Sequence, residues 1–167
     1  MNIALTTAAG GAVDLISDMT AKEGRVLIER EVILRANEEL KHVYSFYATN
    51  AVYPYSRFLR QKHEWLVLES ESRRFITVHK NPENGNIELT VRNSLRQAND
   101  VGLTVAHQPS TSGEIRLQRR DHEFDLADDL QLAYVIAWAR KEDPRWSFTT
   151  ENCRHFTTKL RTALNDF

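Results

Sequence analysis

The chain has 167 residues, 41% of them hydrophobic and 27% charged, with a formal net charge of −1. That length suits one domain with room for a core. The near-neutral balance removes any global attraction to nucleic acid or to an anionic membrane, and a single cysteine excludes an internal disulfide.

In chain order, Met1 to Gly11 is small and polar, with no basic region followed by an apolar run, so no secretory signal is expected. No stretch reaches transmembrane length. The expectation is a cytoplasmic protein, with non-classical export as an effector left open. Ala12 to Met19 suits a short helix with Val13 and Ile16 inward. Arg25 to Arg35 carries two periods: Val26, Ile28, Val32 and Leu34 alternate like a strand, while Leu27 and Ile33 among Glu and Arg suit a helix. Ala36 to Arg60 is rich in Tyr and Phe and reads as helical or irregular cover, broken near Pro54. Residues 1–61 are therefore expected as an N-terminal covering segment, and 62–167 as the core of a single domain.

His63 to Glu69 reads as a strand, Ser70-Glu71-Ser72 as a turn and Arg73 to His79 as a second strand. A three-residue turn sets the register by arithmetic: Val67 faces Phe75, Trp65 faces Thr77 and His63 faces His79. The two histidines then share one face of the sheet. Asn81-Pro82-Glu83-Asn84-Gly85 signals a turn, and Ile87 to Arg92 a third strand. Gly102 to His107 and Glu114 to Arg119 suggest a second hairpin, closed by Pro109 to Gly113. Asp125 is placed to cap a helix from Leu126 to Lys141, apolar on more than one side. A last helix begins near Cys153, with Thr149 or Thr150 as its cap and Cys153, Phe156, Thr157, Leu160 and Leu164 inward. The class expected is α+β: an antiparallel sheet of about five strands packed on helices.

Cys153 concentrates the chemistry. A thiol in a first helical turn feels unpaired backbone N–H groups and the positive end of the helix dipole, and both favour thiolate. A lone cysteine on an apolar helix face is more often a small core residue, so the thiol needs a base before it reads as a nucleophile. His63 at a strand edge supplies one, and His79 is placed to hold or polarise the His63 imidazole. The N–H groups of the helix start suit an oxyanion.

Asn152-Cys153-Arg154-His155-Phe156, followed by Leu160, resembles the Asn-Cys-Glu-His-Phe box of the lecithin:retinol acyltransferase-like proteins. These belong to the circularly permuted, NlpC-like branch of papain-type thiol enzymes. His63-Glu64-Trp65 and Thr77-Val78-His79 resemble the family's upstream strand, which begins with one histidine and is followed by a second. The order of base first and nucleophile last is similar too. PPPDE isopeptidases share a similar Asn-Cys-Asn-His-Phe box. The resemblance implies a permuted papain-like core over 62–167, with Cys153 as nucleophile, His63 as general base and acid, and His79 as orienting residue. His155 and Asn152 belong to the box, His155 as a structural residue pointing away. Arg154 stands where the box has an acid, and Glu64 separates His63 from Trp65.

The reaction implied is acyl transfer or hydrolysis through an S-acyl-enzyme, on an amide, isopeptide, thioester or ester. It needs no cofactor and no metal. The substrate would be a protein, peptide or acyl-lipid. The same residues allow two other readings: an inactive binding module on the same fold, and a zinc site of Cys153, His63 and His79. The zinc reading has no short paired-ligand spacing behind it.

Overall fold

The computed structural model describes residues 23–49, 62–82, 84–105, 123–145 and 152–167. Among these the class is α+β, with six strands in one mixed sheet and four helices. In chain order they are β1 (Val26–Ile28), α1 (Arg30–Leu34), β2 (Leu40–Thr49), β3 (Lys62–Ser70), β4 (Phe75–Lys80), β5 (Ile87–Arg92), α2 (Leu95–Val105), β6 (Phe124–Asp125), α3 (Leu132–Lys141) and α4 (Cys153–Asn165). The sheet order is β1-β5-β4-β3-β2-β6. All neighbours are antiparallel except β1 and β5, so the sheet is mixed rather than wholly antiparallel.

The two faces of the sheet follow from strand alternation. Leu66 and Leu68 of β3, Ile76 and Val78 of β4, and Leu89 of β5 share one core with Leu132, Val135, Ile136 and Ala139 of α3 and Phe156, Leu160 and Leu164 of α4. Trp65 and Val67 of β3 and Phe75 of β4 point the other way, and pack with Phe46 of β2 and Ala98 of α2. The sheet therefore carries α3 and α4 on one side and α2 on the other.

Several expectations need correction. Residues 40–49 are a ten-residue strand inside the sheet, not helical cover. Val43, Ser45 and Phe46 are buried against neighbouring strands, and strand pairing overrides the local aromatic richness that suggested cover. The ambiguous stretch at 25–35 holds both elements in turn, β1 and then α1, so residues 23–49 supply two strands of the sheet, β1 and β2, with a helix between them. Gly102 to Val105 is not a hairpin limb but the end of α2. Ser94 begins that helix, accepting the Gln97 N–H at 3.1 Å, and Ala98 and Gly102 are buried one turn apart. Gly102 is needed there, since a Cβ would lie 2.2 Å from Trp65 Cε2.

Asp125 lies in β6, and α3 starts at Leu132 after Gln131. Asp129, in a turn with Asp128, has φ 67°, and the bonds Leu126 N–H to Lys41 O and Leu40 N–H to Leu130 O tie the 126–131 segment to the start of β2. Helix α3 buries one stripe, Leu132, Val135, Ile136 and Ala139, while Ala137 is exposed and Trp138 half-buried. The expected helix at 12–19, the aromatics at 53–58, the strand at 114–119 and the caps Thr149 and Thr150 lie outside the described residues. No described helix is long and apolar enough to cross a membrane.

Candidate active site

The strand pair carrying the histidines is where expectation placed it, but its register differs. The turn between β3 and β4 spans Glu71 to Arg74, with Arg73 at φ 58°, one residue longer than expected. Trp65 pairs with His79, Val67 with Thr77 and Glu69 with Phe75. The shift is two residues, an even number, so His63 and His79 keep a common face as diagonal neighbours. Their ring centroids lie 5.6 Å apart at 57°. His63 also stacks on Trp65 at 5.2 Å.

That face is the α2 side. Thr77, two residues before His79, donates its hydroxyl to Ala98 O of α2 at 2.7 Å. His63 is 4% exposed and His79 1%. Neither nitrogen of His63, nor Nδ1 of His79, has a hydrogen-bond partner. His79 Nε2 bonds Glu88 Oε1 of β5 at 2.7 Å, directly across the β4–β5 ladder. Burial, and then the repulsion a protonated His79 would exert, hold the His63 imidazole well below its ordinary value of 6.5, so it is neutral at pH 7.

Cys153 opens α4, and its inward face is as expected: Cys153, Phe156, Thr157, Leu160 and Leu164 are all buried. The cap is Asn152, whose Oδ1 accepts the His155 N–H at 3.0 Å. His155 is exposed and its Nδ1 also meets Asn152 Oδ1, at 2.8 Å, so both box residues build the helix start. Thr157 Oγ1 donates to Glu64 Oε2 at 3.0 Å and fastens α4 to β3. The buried Lys80 at the end of β4 donates to the carbonyls of Asp143 and Arg145, beyond the end of α3.

The thiol and the two histidines meet β3 from different sides. Glu64 faces α4, while His63, the preceding residue, faces α2. The β3–β4 ladder ends at Trp65 and His79, and the backbone N–H of Glu64, next along β3, lies near enough to the Cys153 thiol to favour its thiolate. Cys153 Sγ thus rests against the His63–Glu64 peptide, with the His63 ring turned to Trp65 and His79. Burial pushes the thiol from 9.0 up to about 11. The N–H of Glu64 acts against that rise, the Glu64 carboxylate adds to it, and the N–H groups of Arg154 and Cys153 oppose it. At rest, therefore, the Cys153 thiol keeps its proton and the His63 imidazole is neutral.

Among the described residues no group of three or more His, Cys, Asp or Glu is arranged to hold a metal ion. Glu88 is the site residue that pattern reading passed over. Its signal was present: it is the one acid in the strand 87–92, opposite the histidine strand across the 81–85 turn. No family model, curated protein or solved structure matches this chain.

Proposed function

We propose that the chain is a cysteine-dependent acyl-transfer enzyme on a permuted papain-like core, with Cys153 as nucleophile, His63 as general base and acid, and His79 as orienting residue. The observation that carries this reading is that Cys153 opens α4 beside β3, near enough for the Glu64 backbone N–H to favour its thiolate. It sets the thiol one peptide from His63, although the two residues are ninety positions apart in the chain.

In this mechanism a substrate carbonyl enters at the rim where the β3–β4 ladder has ended. At that rim His63 takes the thiol proton through one bridging water as Sγ attacks. The N–H groups of Glu64, Cys153 and Arg154, gathered around Sγ, are placed to receive the developing oxyanion. The leaving amine, alcohol or thiol takes the proton from His63, and water or a second nucleophile releases the acyl group. Neutral resting partners suit this order, because charge then appears only as the carbonyl is attacked.

The test is S-acylation of Cys153 by activated thioesters, esters and amides, followed by intact-protein mass. An acyl adduct is expected in wild type and none in Cys153→Ser, with the rate in His63→Ala falling about 100-fold or more. An adduct that forms equally fast in His63→Ala sinks the proposal.

One observation favours a second reading. A thiol 6% exposed and raised to about 11 is chemically quiet. In a binding module the wild type would form no adduct, and Cys153→Ser would bind its partner unchanged.

A further inference from the structure

On the α2 face of the sheet, three polar side chains stand in a row across three strands: Glu88 of β5, His79 of β4 and His63 of β3. Only the first link is a made hydrogen bond, His79 Nε2 to Glu88 Oε1 at 2.7 Å. The facing atoms, His79 Nδ1 and both nitrogens of His63, are buried and unpartnered. Such atoms cost free energy unless they meet a partner, so the row invites completion.

We propose that Glu88 is a positioning residue that sets the tautomer of His79 and, through it, that of His63. A carboxylate only accepts, so a carboxylate at 2.7 Å requires the proton of neutral His79 to sit on Nε2. His79 Nδ1 is then left as a lone pair, buried and facing the row. The Thr77 hydroxyl is committed to Ala98 O. The indole N–H of Trp65 is also buried and without a partner, and lies under Gly102, where a Cβ would be 2.5 Å from Nε1. His63 is the donor that stands in the row, its ring centroid 5.6 Å from that of His79, and a small ring rotation or one bridging water closes that distance. An N–H of His63 given to His79 leaves the other His63 nitrogen as a lone pair, the form a general base needs. The order of protons thus runs one way, from His63 to His79 to Glu88.

Glu88 is itself held as a carboxylate. The His79 bond keeps it below the usual value of 4.5, burial opposes this, and the Asn81 and Asn86 side chains help to lower it. Asn81 Nδ2 reaches Oε1 at 3.4 Å.

The tautomer relay stands without the acyl-transfer reading; its catalytic meaning rests on that reading. Two measurements separate them. Long-range proton–nitrogen NMR of 15N-histidine-labelled protein, assigned with His63→Asn and His79→Asn, reports the tautomer of each ring. Wild-type His79 is expected as the Nε2–H form. In Glu88→Ala it becomes a mixture, and the His63 ring signals move as well. Glu88→Leu, of similar size and with no acceptor, gives the same reading if the alanine variant does not fold, and Glu88→Asp restores the wild-type pattern in part. Wild-type His79 protonated on Nδ1 overturns the relay, as do His63 signals unchanged in a folded Glu88 variant. The S-acylation rate is the second measurement: it should fall about 10- to 100-fold in Glu88→Leu. If wild type forms no S-acyl adduct, the acyl-transfer reading fails while the NMR result still decides the relay.

Discussion

The Glu64 carboxylate of β3 accepts the Thr157 hydroxyl of α4 at 3.0 Å, and the backbone N–H of the same residue lies near enough to the Cys153 thiol to favour its thiolate. One residue of β3 therefore both supports and suppresses the thiolate. Its N–H favours negative charge on sulfur and its carboxylate opposes it. Glu64→Gln keeps the N–H and removes the charge. The thiol then titrates lower, and iodoacetamide alkylation of Cys153 at pH 8 becomes faster than in wild type. An unchanged or slower rate would show that the carboxylate does not reach the thiol.

Thr157→Val removes the other half of that contact. It leaves a partly buried carboxylate without its hydroxyl donor, at a cost of about 1–2 kcal/mol in urea unfolding. In the Glu64→Gln background the cost of Thr157→Val should be smaller, because the hydroxyl then leaves a neutral amide acceptor rather than a carboxylate.

Wild-type Cys153 should alkylate slowly. With the thiol raised from 9.0 to about 11, the folded protein at pH 8 carries roughly 100-fold less thiolate than the urea-unfolded chain. The sign for stability follows. Above pH 9 the unfolded chain releases a proton that the folded protein keeps, so stability falls as pH rises from about 9 towards 11, by about 2–3 kcal/mol. Unfolding midpoints in Cys153→Ala should lose that part of the alkaline slope.

His63 acts at the other end of the scale. Its folded value lies well below 6.5 because of burial first and His79 second. As pH drops through 6.5 the unfolded chain takes up a proton that the folded protein refuses, so stability falls on the acid side. Urea midpoints between pH 7.5 and 5.5 should fall less steeply in His63→Gln than in wild type. Equal slopes would mean that the ring is charged, or open to solvent, in the folded protein.

Gly102→Ala tests the packing that holds the α2 face over Trp65. The added methyl meets the indole at 2.2 Å, so helix or ring must move. The expected loss is about 1–3 kcal/mol, with a change in tryptophan fluorescence. A variant as stable as wild type would place α2 farther from Trp65.

Local pattern was enough for elements whose own period decides them. The inward face of α4 is read directly from Cys153, Phe156, Leu160 and Leu164, one face of a 3.6-residue period. The strand Ile87–Arg92 and the Asn81 to Gly85 turn are equally local, and Gly85 has the positive φ, 77°, that such a turn uses. Pattern misled where another element decides. Gly102-Leu103-Thr104-Val105 alternates like a strand, yet it is helical, with Gly102 pressed on Trp65. The Tyr and Phe of 44–47 read as helical or irregular cover, and it is pairing with β3 that makes them a strand.

By itself, then, the sequence determined the α+β class, the helix that carries Cys153 and the shared face of His63 and His79. Alternation and helical spacing are properties of neighbouring residues, and a two-residue error in register leaves the face unchanged. Only the tertiary structure decided that Glu88 meets His79, that Glu64 rather than His63 faces α4, and that the Cys153 thiol rests on the His63–Glu64 peptide while the imidazole turns to Trp65. These depend on which strands pair and which face each helix covers, and residues distant in the chain settle both through the apolar surface they bury together.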